Sequence, residues 1–189
     1  AVAKGQADII IGKGAGPGSS STNGRNIAIG ENTLQNSTNS DNVIAIGTGA
    51  GTGSNSTQSI YMGNDATGTG TQNIVLGYKS VSQADNGVVI GATAKAGAKL
   101  SVAIGANSSA AGGNAVALGG NTDAAGASAV AIGGGTGAST GAKAAGASAI
   151  ALGSNANAAG QRAIAIGEVA LSQGPYSTAM GGKAQAVGT

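Results

Sequence analysis

The sequence has no cysteine, histidine, phenylalanine or tryptophan, and only two prolines and three tyrosines in 189 residues. Without cysteine there is no disulfide and no thiolate site, and without cysteine or histidine there is no conventional metal centre or nucleophilic triad. Charged residues make up 8% of the chain, against about 25% in an ordinary soluble domain. Nine basic and seven acidic residues are spread thinly, for a net charge of +2. No basic run interleaved with aromatics marks a nucleic-acid surface. No apolar run approaches the roughly 18 residues that span a bilayer, and no signal-peptide pattern is present. With so few large side chains, a compact globule would have little to fill its centre.

What the chain does have is glycine, 37 residues of it, together with 41% hydrophobic residues. The hydrophobic content argues against a disordered linker. The glycines lack the strict three-residue period of collagen. They belong instead to a recurring pentamer of the form small–aliphatic–small–aliphatic–Gly. Twelve pentamers, DIIIG to STAMG, end at Gly12, Gly30, Gly47, Gly63, Gly77, Gly91, Gly105, Gly119, Gly133, Gly153, Gly167 and Gly181. The commonest spacing is fourteen, and the longer ones are insertions. A second glycine recurs seven residues before many of these, as at Gly70, Gly112, Gly126, Gly146, Gly160 and Gly174. Read as left-handed corners, the two glycines per repeat leave two short strands. The pattern predicts an all-β, parallel β-solenoid with fourteen-residue rungs, on the order of 60 Å long at strand spacing.

Each strand alternates with period two. In the pentamer, the large aliphatics one and three residues before the glycine, such as Val102 and Ile104 or Val116 and Leu118, are expected to point into the coil. The residue between them is also apolar: Ala28, Ala45, Tyr61, Val75, Val89, Ala103, Ala117, Ala131, Ala151, Ala165 and Ala179. A strand apolar on both faces is buried on both. Two aliphatics per rung also fall short of the entropy cost of ordering fourteen residues. The middle residues are therefore expected to line the axis of a symmetric homo-oligomer. In the second strand, small residues such as Ala94, Ala96, Ser108 and Ala110 are expected inside. The polar residues alternating with them make a wet outer wall, interrupted by Val169 and Leu171.

SVAIGANSSA, AVALGGNTDA and AIALGSNANA resemble the head repeats of YadA-like trimeric autotransporter adhesins. The resemblance spans nearly the whole chain and is sharpest over 60–188; the repeats in 1–59 are stretched. It implies a single left-handed β-roll head over 1–189, assembled as a homotrimer, with the handedness resting on the resemblance alone. It also implies a fragment of a longer fibre on the bacterial surface, held in the outer membrane by a C-terminal region outside this sequence. The expected activity is adhesion without catalysis, cofactor or metal. Expected partners are the chain itself and a host matrix protein such as collagen or fibronectin, or an abiotic surface. The outer polar residues Lys95, Asn107, Ser109, Asn121, Asp123, Asn155 and Asn157 are the candidate ligand surface, binding multivalently. A structural spacer or phage tail-fibre-like shaft is the alternative, sharing the fold and differing in partner.

Other patterns dissolve into the repeat. GKGAGPGSSS at 12–21 lacks the Lys-Ser/Thr pair of a phosphate-binding loop. The five aspartates fall on no common register for calcium-binding turns, and TGTGT at 67–71 is too short for a threonine ice-binding array. The stretched segments 13–25, 31–42, 48–58 and 136–145 are expected to project as insertions. Tyr78, directly after a corner glycine, is expected to be exposed.

Overall fold

A computed structural model describes residues 7–18, 24–137 and 140–188. The described residues fold as a parallel β-solenoid without helices, in two compact units, 1–93 and 94–189.

In the second unit the pentamers form the strands Val102–Ile104, Val116–Leu118, Val130–Ile132, Ile150–Leu152, Ile164–Ile166 and Thr178–Met180. They pair in parallel and in register, so that Val102 meets Val116 and Ala103 meets Ala117. A second wall of two-residue strands runs from Lys95–Ala96 through Ser109–Ala110 and Asp123–Ala124 to Gln185–Ala186, again in parallel. The fourteen-residue unit is thus one turn of coil. Each rung gives its backbone N–H groups to a neighbouring rung: Gly119 donates to Ile104 at 2.8 Å, Val116 to Ala129 at 2.9 Å, and Ser109 to Thr122 at 2.8 Å.

The structure reverses the two faces of the pentamer strand. Ala103, Ala117, Ala131, Ala151, Ala165 and Ala179, expected on a shared axis, lie inside the coil, at most 3% exposed. The same holds in the first unit for Ala28, Ala45, Tyr61, Val75 and Val89. The flanking aliphatics point outward and are half-buried or exposed: Leu118 is 41% exposed, Ile150 39% and Leu152 41%. The reason is width. The interior core of the second unit is a cluster of sixteen alanines, and its other buried side chains are Ala94, Ala96, Ala179, Ser101, Ser108, Thr122 and Ser172. Two walls this close leave room for facing methyl and hydroxymethyl groups only. Alanine suits this interior because it loses no side-chain entropy on burial. The small residues expected inside on the second wall are there: Ala94, Ala96, Ser108, Ala110, Ala156 and Ala158 are buried.

The pentamer glycines have positive φ as expected, between 118° and 143°, but the other corners differ from expectation. Left-handed backbone falls five residues before each pentamer glycine, at Leu100, Asn114, Ser128, Ser148, Arg162 and Tyr176, with φ between 55° and 60°. It falls again two residues after that glycine, at Asn107, Asn121, Asn155, Val169 and Lys183. Among the glycines seven before, Gly70 has φ 88°, whereas Gly112, Gly126, Gly146, Gly160 and Gly174 are not left-handed. They are required by close approach: a Cβ on Gly146 would fall on the carbonyl oxygen of Gly160.

In the first unit the pentamer strands Ile9–Ile11, Ile27–Ile29, Ile44–Ile46, Ile60–Met62, Ile74–Leu76 and Val88–Ile90 stack in the same register. The stretched segments do not project. Their extra residues widen the rung and ladder onto one another: Gly16 donates to Thr33 at 2.9 Å, Leu34 to Ala50 at 2.9 Å, and Gly51 to Ala66 at 2.8 Å. Residues 19–23 of the 13–25 segment lie outside the described residues. The wider rungs admit Leu34 and Tyr61, both fully buried. Tyr61 donates its hydroxyl to Ser56 Oγ at 2.8 Å. In the 136–145 segment, 138–139 likewise lie outside the described residues. Around them the turn is closed by Thr140, whose hydroxyl donates to the Gly137 carbonyl at 2.6 Å.

If the methyl-wide interior governs the fold, Ala117→Val should destabilise the chain by about 1–3 kcal/mol through overpacking. Chemical denaturation against the parent chain measures this.

Candidate functional site

Three outward surfaces carry chemistry, and the strand alternation generates the first two. On the pentamer wall of each unit, the residues one and three before the glycine stack into two aliphatic columns. In the second unit these are Val102, Val116, Val130, Ile150 and Ile164 beside Ile104, Leu118, Ile132, Leu152 and Ile166, held by the strand register. On the second wall, the residues two and four after the glycine make two polar columns.

The sequence-predicted ligand residues fall on these polar columns. Lys95, Ser109, Asp123 and Asn157 share one column, in register with Lys143 and Leu171. Asp123 and Lys143 are direct neighbours there, which sets opposite charges side by side. Asn107, Asn121 and Asn155 occupy the equivalent left-handed corner beside it. Lys95, Asn107 and Asn155 are exposed, while Ser109, Asn121, Asp123 and Asn157 are half-buried. Two of the asparagines are tied into the coil. Asn107 Nδ2 donates to Asn121 Oδ1 at 3.3 Å, and Asn121 Nδ2 donates to the Gly135 carbonyl at 2.9 Å. Asparagine suits this position twice over, since it tolerates left-handed backbone and its amide can bridge rungs.

The third surface is the corner between the walls, which sequence reasoning missed. In the second unit it holds Lys99, Arg162 and Tyr176, five or six residues before a pentamer glycine. The Arg162 guanidinium lies 5.4 Å from the Tyr176 ring centroid, and its Nη1 donates to the Tyr176 hydroxyl at 3.0 Å. On the other corner, the one occupied by Asn107, Asn121 and Asn155, the first unit places Lys79 5.2 Å from the ring of Tyr78, which is 50% exposed as expected. Hydrogen bonding with the Tyr78 side chain holds the Lys79 ammonium above the ordinary lysine range. The first unit also has a notch of about 340 Å³ where the wide rung at Thr52–Ser54 steps down onto Thr67–Thr69 and Val81–Gln83. Its lining is hydroxyl, amide and backbone, with Val81 as the one aliphatic side chain. No group of three or more His, Cys, Asp or Glu among the described residues could hold a metal ion.

The matched family accounts for this geometry. The YadA head domain repeat (2 copies) matches residues 96–122, 110–136, 144–167 and 172–189. These segments of the second unit carry YadA head repeats. The matched segments follow the rungs: 96–122 holds the pentamers ending at Gly105 and Gly119, and 144–167 those ending at Gly153 and Gly167. YadA heads form an adhesin family, not an enzymatic one. No curated protein matches the chain.

The amide ladder gives the polar wall of these repeats a structural role. Asn121→Ala should lower stability by about 1 kcal/mol, the net worth of one hydrogen bond. Asn155→Ala, for which no rung-to-rung amide bond is seen among the described residues, should cost less; paired thermal melts test the difference.

Proposed function

We propose that the chain is the adhesive head of a trimeric autotransporter, assembled from three copies at the bacterial surface and binding host matrix protein through its outer faces. The observation that carries this reading is the pair of half-exposed aliphatic columns on the pentamer wall. A lone chain in water would leave Leu118, Ile150, Leu152 and their neighbours partly wetted, and contiguous apolar surface of this kind marks an interface. Burial contributes about 1.5–3 kcal/mol for each large aliphatic fully removed from water. Repetition down successive rungs makes the total large. Because the columns are identical from copy to copy, a cyclic assembly around a central line covers all of them at once.

The axis of that assembly is lined by the outward aliphatics, with the alanines enclosed in each coil. The second wall and the corners then face outward. Repetition along three copies multiplies weak contacts into avidity, which suits matrix ligands such as collagen or fibronectin that are themselves repetitive.

Leu118→Lys sets like charges against one another at the axis and should convert a trimer into smaller species in sedimentation equilibrium. Adherence to immobilised collagen and fibronectin should fall with it, whereas Lys95→Ser on the outer wall should leave the mass unchanged. A parent chain that sediments as a monomer contradicts the assembly. A trimer that adheres to nothing leaves a spacer.

A further inference from the structure

We propose that the corner of the second unit, from Lys99 to Tyr176, is a binding trough for an acidic glycan chain; this rests on reading the chain as an adhesive head. The column consists of the residue five before each pentamer glycine, with its predecessor. Large side chains stand at both ends: Lys99 with Leu100, which is 55% exposed, and Arg162 with Tyr176, which is 64% exposed. The floor between them is small and exposed, formed by Asn114, Ser128 and Ser148. Leu100 and Arg162 are four rungs apart, about 19 Å at strand spacing. No acidic residue sits on the column, at 99–100, 113–114, 127–128, 147–148, 161–162 or 175–176.

The chemistry of the floor selects the ligand. From Asn114 onward each corner N–H is already given to the preceding rung: Asn114 donates to Lys99 at 3.0 Å, Ser128 to Gly113 at 2.8 Å, Ser148 to Ala127 at 2.8 Å, Arg162 to Ala147 at 2.8 Å, and Tyr176 to Gln161 at 2.9 Å. An extended peptide therefore finds no strand edge to pair with. The surface of the column offers hydroxyl, amide, an aromatic ring, the Leu100 side chain and two cations. Hydroxyls and amides match sugar hydroxyls. The tyrosine ring offers an apolar face with a polar tip. Arginine takes carboxylate or sulfate oxygens in bidentate fashion. The Arg162–Tyr176 contact holds both groups in place before a ligand arrives, which lowers the entropic cost of binding.

Backbone geometry adds a second argument. All six corner residues from Leu100 to Tyr176 are left-handed, where asparagine is favoured and bulky residues are outliers. The fold alone would be served by asparagine throughout. Leucine, arginine and tyrosine at the two ends run against that preference, and they are the residues that close the trough.

The test uses the immobilised chain with four soluble probes: a heparin octasaccharide, a hyaluronan octasaccharide, neutral dextran and polyglutamate. At least one acidic octasaccharide should bind, dextran should not, and added salt should weaken the binding. The two acidic arms separate sulfate from carboxylate recognition. Tyr176→Asn and Arg162→Asn install the residue the corner prefers, so the fold is kept, and each should weaken binding about tenfold. Lys183→Asn, outside the corner, should leave it unchanged. Undiminished binding by Tyr176→Asn, an equal loss with Lys183→Asn, or equal binding of polyglutamate overturns the proposal in favour of charge alone. Absence of octasaccharide binding with matrix adherence retained removes the glycan site and spares the adhesive reading; absence of both removes both.

Discussion

Contact between facing methyl groups across a fourteen-residue rung sets the rest of the structure. The two walls approach until alanine meets alanine, as at Ala103, Ala110, Ala117 and Ala124. That closeness lets successive rungs ladder their backbones without a break, and it leaves no space inside for isoleucine or leucine. The large aliphatics are therefore excluded to the outer surface of the very strand whose small residues form the core. Close-packed interiors resist added volume, so exclusion is a steric result and does not reflect a preference of those side chains for water. The demand for a partner follows from it.

The first unit shows the same constraint relaxed. Where a rung gains residues, its interior gains width, and larger groups enter. Leu34 and Tyr61 occupy the enlarged section, and glycine stands opposite them at Gly51 and Gly68, where a Cβ would meet Leu34 or Tyr61 atoms. Polar groups enter as well. Asn73 Oδ1 accepts from the Gly87 N–H at 2.8 Å and from Ser82 Oγ at 2.9 Å, and its Nδ2 donates to the Thr69 carbonyl at 3.0 Å. Rung length is thus one source of interior room, while Val75, Val89 and Asn73 are enclosed in rungs spaced fourteen.

The sequence made the repeat, the parallel stacking and the rung length legible, because a fourteen-residue period in the glycines has few other physical readings. It also separated the residues of each strand correctly into two faces. It did not say which face is inward, since alternation is symmetric when both faces are apolar, and the expectation that bulk belongs inside decided the matter wrongly. A signal was available: the residue four before each glycine shares a face with the middle alanine, and in the second unit it is Ser101, Ala115, Ala129, Ala149 or Ala163. A face small at every position, opposed by a second wall small at every position, describes a thin interior. The corner assignment held at the pentamer glycines, which have positive φ, and failed at the glycines seven before them, because glycine reports two different needs. At Gly146 it reports closeness of the next rung, while the left-handed turns are taken by Ser128, Arg162 and Tyr176, whose identities do not advertise them.

In the proposed function adhesion comes after assembly, with the aliphatic columns holding the copies together and the remaining outer faces doing the binding. Because the chain has no cysteine, the arrangement can be read directly with single introduced thiols. Leu118→Cys, on an outward column, should form interchain disulfides on mild oxidation and run as a linked species on a non-reducing gel, while Ala117→Cys, enclosed in its own coil, should stay unlinked and resist labelling. Linkage through position 117 with position 118 left free would contradict the account.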